Sequence, residues 1–330
     1  MTGGAGFIGS HIVRALIARG DRVRVLDDFS TGRRGNIAEV MADVELLEGD
    51  VRDEDAVARA LAGVDSVLHE AALPSVALSF ERPGLVEAVN VAGTTTVLGA
   101  ARQCGVRRVV LASSCAVYGD TQTVPIGEDA ATMPLSPYAV GKLSAEWHLW
   151  VLGVKGRGEA PRPSHDASRD VARNRGVETA ALRYFNVFGP RQDPGSEYSG
   201  VIAQFMAAAC SGTACTIYGD GRQTRDFVFI ADVVSANLLA LDAPGAVGRV
   251  MNVGSGLETT LLDLLAGIEA TSGVSLTVQH GPPREGDIRR SCASIALARE
   301  LLGYVPQTSL HDGLTRTFAW YRDSVQAARG

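Results

Sequence analysis

Thr2-Gly-Gly-Ala-Gly-Phe-Ile-Gly9 sets glycines at 3, 6 and 9, and the apolar periodicity of a helix takes over at once, from Ile8 to Arg19. A glycine turn opening a helix lets backbone N–H groups and the helix N-terminus close on a pyrophosphate. Such a turn ordinarily follows a buried strand, and only Met1 and Thr2 stand before it. A parallel sheet missing its central strand would be badly destabilised, which favours a start upstream of Met1. The next stretch, Arg22-Val-Arg-Val-Leu-Asp27, reads as a short strand ending in an acid. Asp27, with Asp28 beside it, stands at about the spacing of a group that holds a ribose diol. The plainer reading, a turn or cap residue, is the weaker one behind these glycines. A carboxylate there repels a 2′-phosphate and favours NAD over NADP, although Arg33 and Arg34 stand close enough to take a phosphate.

The rhythm repeats outward. Val44–Leu47 reads as a strand, Asp53 to Leu61 as a helix, Ser66–His69 as a strand, Gly84 to Cys104 as a helix and Arg107–Ala112 as a strand. Strands alternating with helices predict an α/β fold, a Rossmann-like doubly wound parallel sheet. The strand ends at Gly3, Asp27, Asp50, Ala71 and Ser114 should then line one crevice, where such sheets bind ligands. Past residue 150 the chain turns irregular. Gly153 to His165 is rich in Gly, Pro and charge and reads as an exposed excursion, near 151–168, for which neutral insertion is the default. A strand over Val177–Phe185, a helix from Asp232, a strand at Met251–Val253, a helix over Glu258–Ser272 capped by Thr259 or Thr260 and a last helix over Gly313–Ala328 follow. Residues 1–185, with a return segment near 227–254, read as a nucleotide-binding domain. Residues 186–226 and 255–330 read as a smaller mixed α/β substrate domain.

A chain of 330 residues with net charge −6 can bury a sizeable core and has no long basic run, so nucleic acid is not an expected partner. No apolar stretch is long enough for a membrane helix, and the opening is glycine-rich rather than basic then apolar, so neither a membrane nor a signal peptide is expected. Cys104, Cys115, Cys210, Cys215 and Cys292 are odd in number and lack CxxC spacing. They read as free thiols of a cytoplasmic protein, with no metal site.

Leu135-Ser-Pro-Tyr-Ala-Val-Gly-Lys142 carries the chemistry. Pro137 suits the first turn of a helix, and Tyr138 and Lys142 then share a face one turn apart. An ammonium beside a phenol favours the phenolate, so the Tyr138 pKa should fall toward neutrality and fit it for proton transfer. Alone, this spacing favours an ordinary amphipathic helix.

The glycine turn, the Asp27-Asp28 pair, Ser113-Ser-Cys-Ala-Val-Tyr-Gly119, Tyr138 with Lys142, Arg183-Tyr-Phe-Asn-Val-Phe-Gly-Pro-Arg191, Gly221-Arg-Gln-Thr-Arg-Asp226 and Arg284-Glu-Gly-Asp287 occur in that order. Together they resemble the extended short-chain dehydrogenases/reductases, the NAD-dependent epimerases and dehydratases, and within them the UDP-sugar 4-epimerases. The resemblance implies Tyr138 as catalytic base, Lys142 as the lysine that tunes it and Ser114 as the serine on the sugar O4. It implies Gly3, Gly6, Phe7, Ile8 and Gly9 at the NAD pyrophosphate, Asp27 and Asp28 at the adenosine ribose, and Asp50 and Val51 at adenine. Ala71, Ala72, Asn90, Ser113 and Tyr184 would be further cofactor contacts. On the UDP-sugar side it implies Asn186, Arg225 and Arg284 at the phosphates, Asp287 at the uridine ribose, and Arg191, Tyr218 and Ser291 nearby. Arginine suits a diphosphate because its fork donates bidentately; the plainer reading of Arg225 is a salt bridge to Asp226. A homodimer through the helices at 84–104 and 137–150 is also implied, with Val140, Leu143, Trp147 and Trp150 as a stripe that could equally be core.

Departures narrow the reaction. Related dehydratases carry Asp-Glu where Cys115-Ala116 stands, and related decarboxylases carry Glu at Ala116, so simple epimerisation is favoured. Ser291 stands where glucose-only epimerases carry tyrosine, which leaves room for an N-acetyl group. A UDP-glucuronate 4-epimerase, with Arg191 receiving the carboxylate, stays open. So does a non-catalytic NAD-binding sensor, against which Ser114, Tyr138 and Lys142 argue.

Overall fold

The computed structural model describes residues 1–153, 176–193, 200–283 and 288–327, without the side chains of 325–327. The strands are β1 (Val23–Asp27), β2 (Val44–Glu48), β3 (Ser66–His69), β4 (Arg108–Ser114), β5 (Glu178–Tyr184), β6 (Asn186–Phe188), β7 (Cys215–Tyr218), β8 (Thr224–Arg225), β9 (Phe227–Phe229), β10 (Arg249–Val253), β11 (Thr259–Thr260) and β12 (Val278–Gly281). The helices are α1 (Phe7–Arg19), α2 (Glu54–Leu61), α3 (Val76–Glu81), α4 (Pro83–Glu87), α5 (Gly93–Gln103), α6 (Pro137–Leu152), α7 (Val201–Ser211), α8 (Ile230–Asp242), α9 (Leu261–Ser272), α10 (Ala296–Leu302) and α11 (Leu310–Ala327). Among the described residues no helix is long and apolar enough to cross a membrane.

The main sheet is parallel throughout, in the order β10-β5-β4-β3 on one side and β1-β2 on the other. Thr2 joins the two halves by pairing with both Leu26 and His69. Parallel strands need crossovers and so are covered on both faces, which is why β4 is buried from Arg108 to Ser113. Helices α1 and α8 lie together over one face; α2, α5 and α6 cover the other. Strand order reverses at Thr2, where the chain leaves in one direction to β1 and returns on the other side as β3. The crevice beyond that reversal is where a doubly wound sheet takes its ligand.

Several boundaries differ from the sequence reading for local reasons. The helix read over 84–104 is interrupted by a π-helical turn at Ala88–Ala92. Helix α8 starts at Ile230, two residues before Asp232, whose carboxylate accepts the backbone N–H groups of Gln307 and Thr308. The helix read from Glu258 opens as a strand, because Thr259–Thr260 pair antiparallel with Thr224–Arg225. Thr260 then caps α9 by accepting the Asp263 N–H at 3.0 Å. Past β5 the short pairs β6–β9 and β7–β12, with α7, α9 and α11, make a smaller mixed layer, and β9, α8 and β10 return the chain to the main sheet.

Helix α6 is held to the sheet by charge as well as by packing. Arg183 on β5 donates from Nε and Nη2 to the two oxygens of Glu146 at 2.9 and 2.7 Å, and Ser113 on β4 donates to the same carboxylate. Both charges are buried, and the guanidinium lies 4.7 Å from the Tyr118 ring centroid. Glu146→Gln leaves Arg183 charged, buried and unmatched, and should cost ~3–5 kcal/mol of unfolding free energy in urea titrations.

Candidate active site

The glycine turn is built by close approach. Gly3 has φ +66°, and a Cβ there would stand 2.6 Å from the Ala71 backbone nitrogen; one on Gly9 would stand 2.0 Å from the Gly3 carbonyl oxygen. These contacts bring the turn against Ala71 at the end of β3. Helix α1 begins on Gly6 with no capping side chain, so the N–H groups around Phe7 and Ile8 at its positive end suit an anionic group. Asp27, 6% exposed, accepts from the Ala5 and Phe29 backbone N–H groups and so ties the end of β1 to the turn. Burial raises its pKa, against those two hydrogen bonds. Asp28 is exposed and closes a local turn with Ser30. The donor set, an uncapped helix start and a carboxylate at the next strand end, fits a dinucleotide with a free 2′-hydroxyl.

Other residues read as cofactor contacts are turned to neighbours. Asp50 is paired with Arg52, which lowers its pKa, and the Val51 side chain packs on Gly93. The Asn90 amide is spent on Leu73, accepting its N–H at 2.8 Å and donating to its carbonyl at 3.1 Å, so it braces the segment that carries Ala71 and Ala72. The Ser113 hydroxyl goes to Glu146.

Ser136 caps α6 and Pro137 opens it, which aims Tyr138 at the end of β4. The Tyr138 phenol hydrogen-bonds Ser114, whose hydroxyl also accepts the Ala116 N–H at 3.2 Å. Lys142 is buried, donates to the Ala112 carbonyl at 2.8 Å and stands 6.0 Å from the Tyr138 ring centroid. One expectation is corrected: burial pushes the Tyr138 pKa up to about 12, against the Ser114 hydrogen bond, rather than down toward neutrality. The hydrogen bond of the Lys142 ammonium runs to a backbone carbonyl.

On the other wall, Ser291 is buried and hydrogen-bonds the Cys115 thiol, whose pKa burial pushes up to about 12. Arg225 acts on the same thiol by its charge and donates to the Thr224 and Ile288 carbonyls. Asp226 turns the other way, accepting from Ser255, Gly256 and Ala293. Asn186 lies beside it, its amide donating to the Asp226 carbonyl at 3.2 Å. Tyr218 ends β7 with its ring against Gly281. Arg191 lies elsewhere: its φ is +68°, it pairs with Glu39 at 3.4 Å beside Arg14 of α1, and its neighbour Pro190 takes a hydrogen bond from His11. Arg284 and Asp287, and the 151–168 excursion beyond Gly153, lie outside the described residues.

Fold and site together define a dinucleotide-binding enzyme with a serine, a tyrosine and a lysine gathered at the end of its central strands. Residues 1–254 match the model of the NAD dependent epimerase/dehydratase family, and the chain belongs to that family. It is 38% identical to a UDP-glucose 4-epimerase of Mycolicibacterium smegmatis, with 99% of each chain covered. It superimposes with a TM-score of 0.87 on the UDP-glucose 4-epimerase of Thermotoga maritima solved with UDP-glucose, at 34% identity over 98% of each chain. The UDP-N-acetylglucosamine 4-epimerase of Methanobrevibacter ruminantium, solved with UDP-N-acetylmuramic acid, gives the same TM-score at 32% identity over 98% of this chain and 97% of that one.

Two groups at the crevice escaped the sequence reading. Glu70 was given no role, and His69 stood only as the last residue of a strand. His69 joins three elements: Nδ1 meets the Thr2 hydroxyl at 2.7 Å and Nε2 meets Thr94 at 2.9 Å. Thr94 already donates to the Asn90 carbonyl, so the ring is the Nε2–H tautomer, and Thr2 donates to Nδ1. Burial, with the charge of Lys142, pushes the His69 pKa down to about 3. The unfolded chain therefore takes up a proton below pH ~6.5 that the folded chain refuses, and stability falls as pH falls. His69 alone should remove ~2 kcal/mol between pH 7 and 5; urea titrations at both values should find a correspondingly smaller loss in His69→Gln.

Proposed function

We propose that this chain is an NAD-dependent 4-epimerase of a UDP-hexose, acting on UDP-glucose and UDP-N-acetylglucosamine through a 4-keto sugar. The observation that carries the reading is the gathering of Ser114, Tyr138 and Lys142 at the crevice beside an uncapped α1. In this reading the turn from Gly3 to Gly9, with Asp27, would hold NAD. Ala71 and Ala72 would lie along it, and Tyr184 at its nicotinamide end. Bound NAD supplies the site that takes the C4 hydride and gives it back. Ser114 orients the sugar O4, Tyr138 in its phenolate form takes the O4 proton and later returns it, and Lys142 supplies the positive charge that favours that form. Asn186, Arg225, Tyr218 and Ser291, with Arg284 and Asp287, would hold the UDP-sugar.

Cys115 and Ala116 follow Ser114, and neither can serve as acid or base, which supports epimerisation over elimination. Ser291 against Cys115 is a small pair on that wall, which supports admission of an acetamido group. The glucuronate reading is the weaker one, because Arg191 is engaged with Glu39 at α1 and not beside Ser114. Val140, Trp147 and Val151 on α6 and Phe80 on α3 are between 45% and 62% exposed. This apolar face supports a homodimer through α6 and its neighbours. Five free cysteines suit a cytoplasmic setting.

NMR of the purified protein with UDP-glucose or UDP-N-acetylglucosamine, without added NAD, should give the C4-inverted product of each. Conversion of UDP-glucose alone sinks the reading of Ser291. Tyr138→Phe should lower turnover at least ~10²-fold with NAD content and melting temperature unchanged; near-normal turnover removes Tyr138 from its role.

A further inference from the structure

Glu70 has no part in the chemistry above, yet the fold places it at the centre of that chemistry. It follows β3, whose register with β4 pairs His69 with Leu111. Continued by one residue, the register sets Glu70 level with Ala112, the residue whose carbonyl holds the Lys142 ammonium. On the far side of β4 the pairing of Ser114 with Tyr184 brings the Tyr184 ring to the same end of the sheet. Its hydroxyl donates to Glu70 at 2.7 Å and accepts from the Asn237 amide at 2.7 Å. Asn237, fully buried on α8, is fixed in turn by a second donation to the Val233 carbonyl. A carboxylate aimed this deliberately at the floor of an active site needs a reason. A neutral residue would have spared the cost of bringing a charge there.

We propose that Glu70 is a positioning residue of the active site, the counter-charge that keeps the buried Lys142 ammonium charged and in place beside Tyr138. This rests on the reading of Lys142 as the group that works with Tyr138. Burial lowers the Lys142 pKa; Glu70 and then Glu146 oppose that shift. Burial raises the Glu70 pKa, while the Tyr184 hydroxyl and Lys142 pull it down. The same negative charge opposes ionisation of Tyr138 and of Tyr184. The remaining neighbours are His69, neutral near neutral pH, and Glu146, matched by Arg183. Among the described residues Glu70 forms no ion pair with an arginine, and Lys142 is the cation whose charge acts on it.

The sequence makes a direct test simple, because it holds only two lysines, Lys142 and Lys155. Protein labelled with ¹³C at lysine Cε gives two resonances, assigned with Lys155→Arg, and each is followed against pH without substrate. In Glu70→Gln, which keeps an acceptor for Tyr184, the Lys142 midpoint should drop by about one pH unit or more. The alkaline limb of kcat should move down with it, and KM for the UDP-sugar should hold within about threefold. Glu70→Asp, which keeps the charge, should recover most of the shift. An unmoved Lys142 midpoint overturns the proposal even if activity falls, since lost packing alone does not retitrate Lys142. Should Glu70→Gln fail to fold, the wild-type curve decides: coupling to Glu70 demands two steps in the Lys142 resonance, and a single step overturns it. Failure of the epimerase reading would appear separately, as absent product with the coupled titration intact.

Discussion

Helix α6 must bury a face that carries three polar groups one turn apart, Tyr138, Lys142 and Glu146, and the structure follows from how each is satisfied. The pair of Glu146 with Arg183 is the fixed point. It joins α6 to β5 and, through Ser113, to β4, so the helix can neither slide nor rotate without stranding a buried charge. One turn earlier the helix places Lys142 on the Ala112 carbonyl, and one turn earlier again it places Tyr138 on Ser114. An apolar pair in place of Glu146 and Arg183 would hold the helix as firmly but would leave its register to packing alone. The tolerance of the site is set by an ion pair outside it.

The second constraint is space. The turn from Gly3 to Gly9 crosses the end of β3 so closely that a methyl group on Gly3 or Gly9 would enter a neighbouring backbone. That approach brings the start of α1 and the ends of β1 and β3 together. The chain of Thr2, His69, Thr94 and Asn90 then locks the arrangement from beneath. None of its members carries charge at neutral pH, so this half of the site is held by hydrogen bonds and the other half by ions.

The alternation of strands and helices was legible because burial on both faces gives parallel strands unbroken apolar runs, and because glycine turns and proline starts punctuate them. Register, strand order at Thr2 and the return of β10 beside β5 were not written in any local pattern. Some positions follow from the backbone alone, as at Gly3 and at Tyr138 after Pro137. Others follow from a distant partner that no local pattern names. Asn90 is claimed by Leu73, Ser113 by Glu146 and Arg191 by Glu39, and in each case the claimant lies on another element. The Tyr138 pKa went the other way for a related reason: sequence spacing gives the distance to Lys142 along the helix but not the depth of both groups below the surface, and depth dominates.

Depth also suits the reaction. An epimerase must take a proton from a sugar hydroxyl and return it to the same oxygen after the carbon has inverted. A base that exchanged protons freely with water would gain nothing from storing that one. Tyr138 and Lys142 lie below the surface, beside a cluster in which the Glu70 carboxylate, Tyr184 hydroxyl and Asn237 amide satisfy one another while the ammonium is held by the Ala112 carbonyl. In such surroundings a charge that appears on one group must be met by a neighbour, because water cannot screen it. The burial that makes Tyr138 a poor acid toward solvent therefore makes its proton responsive to Lys142, and through Lys142 to Glu70. A charge change at the far end of β3 can then be felt at the Tyr138 phenol and the Lys142 ammonium.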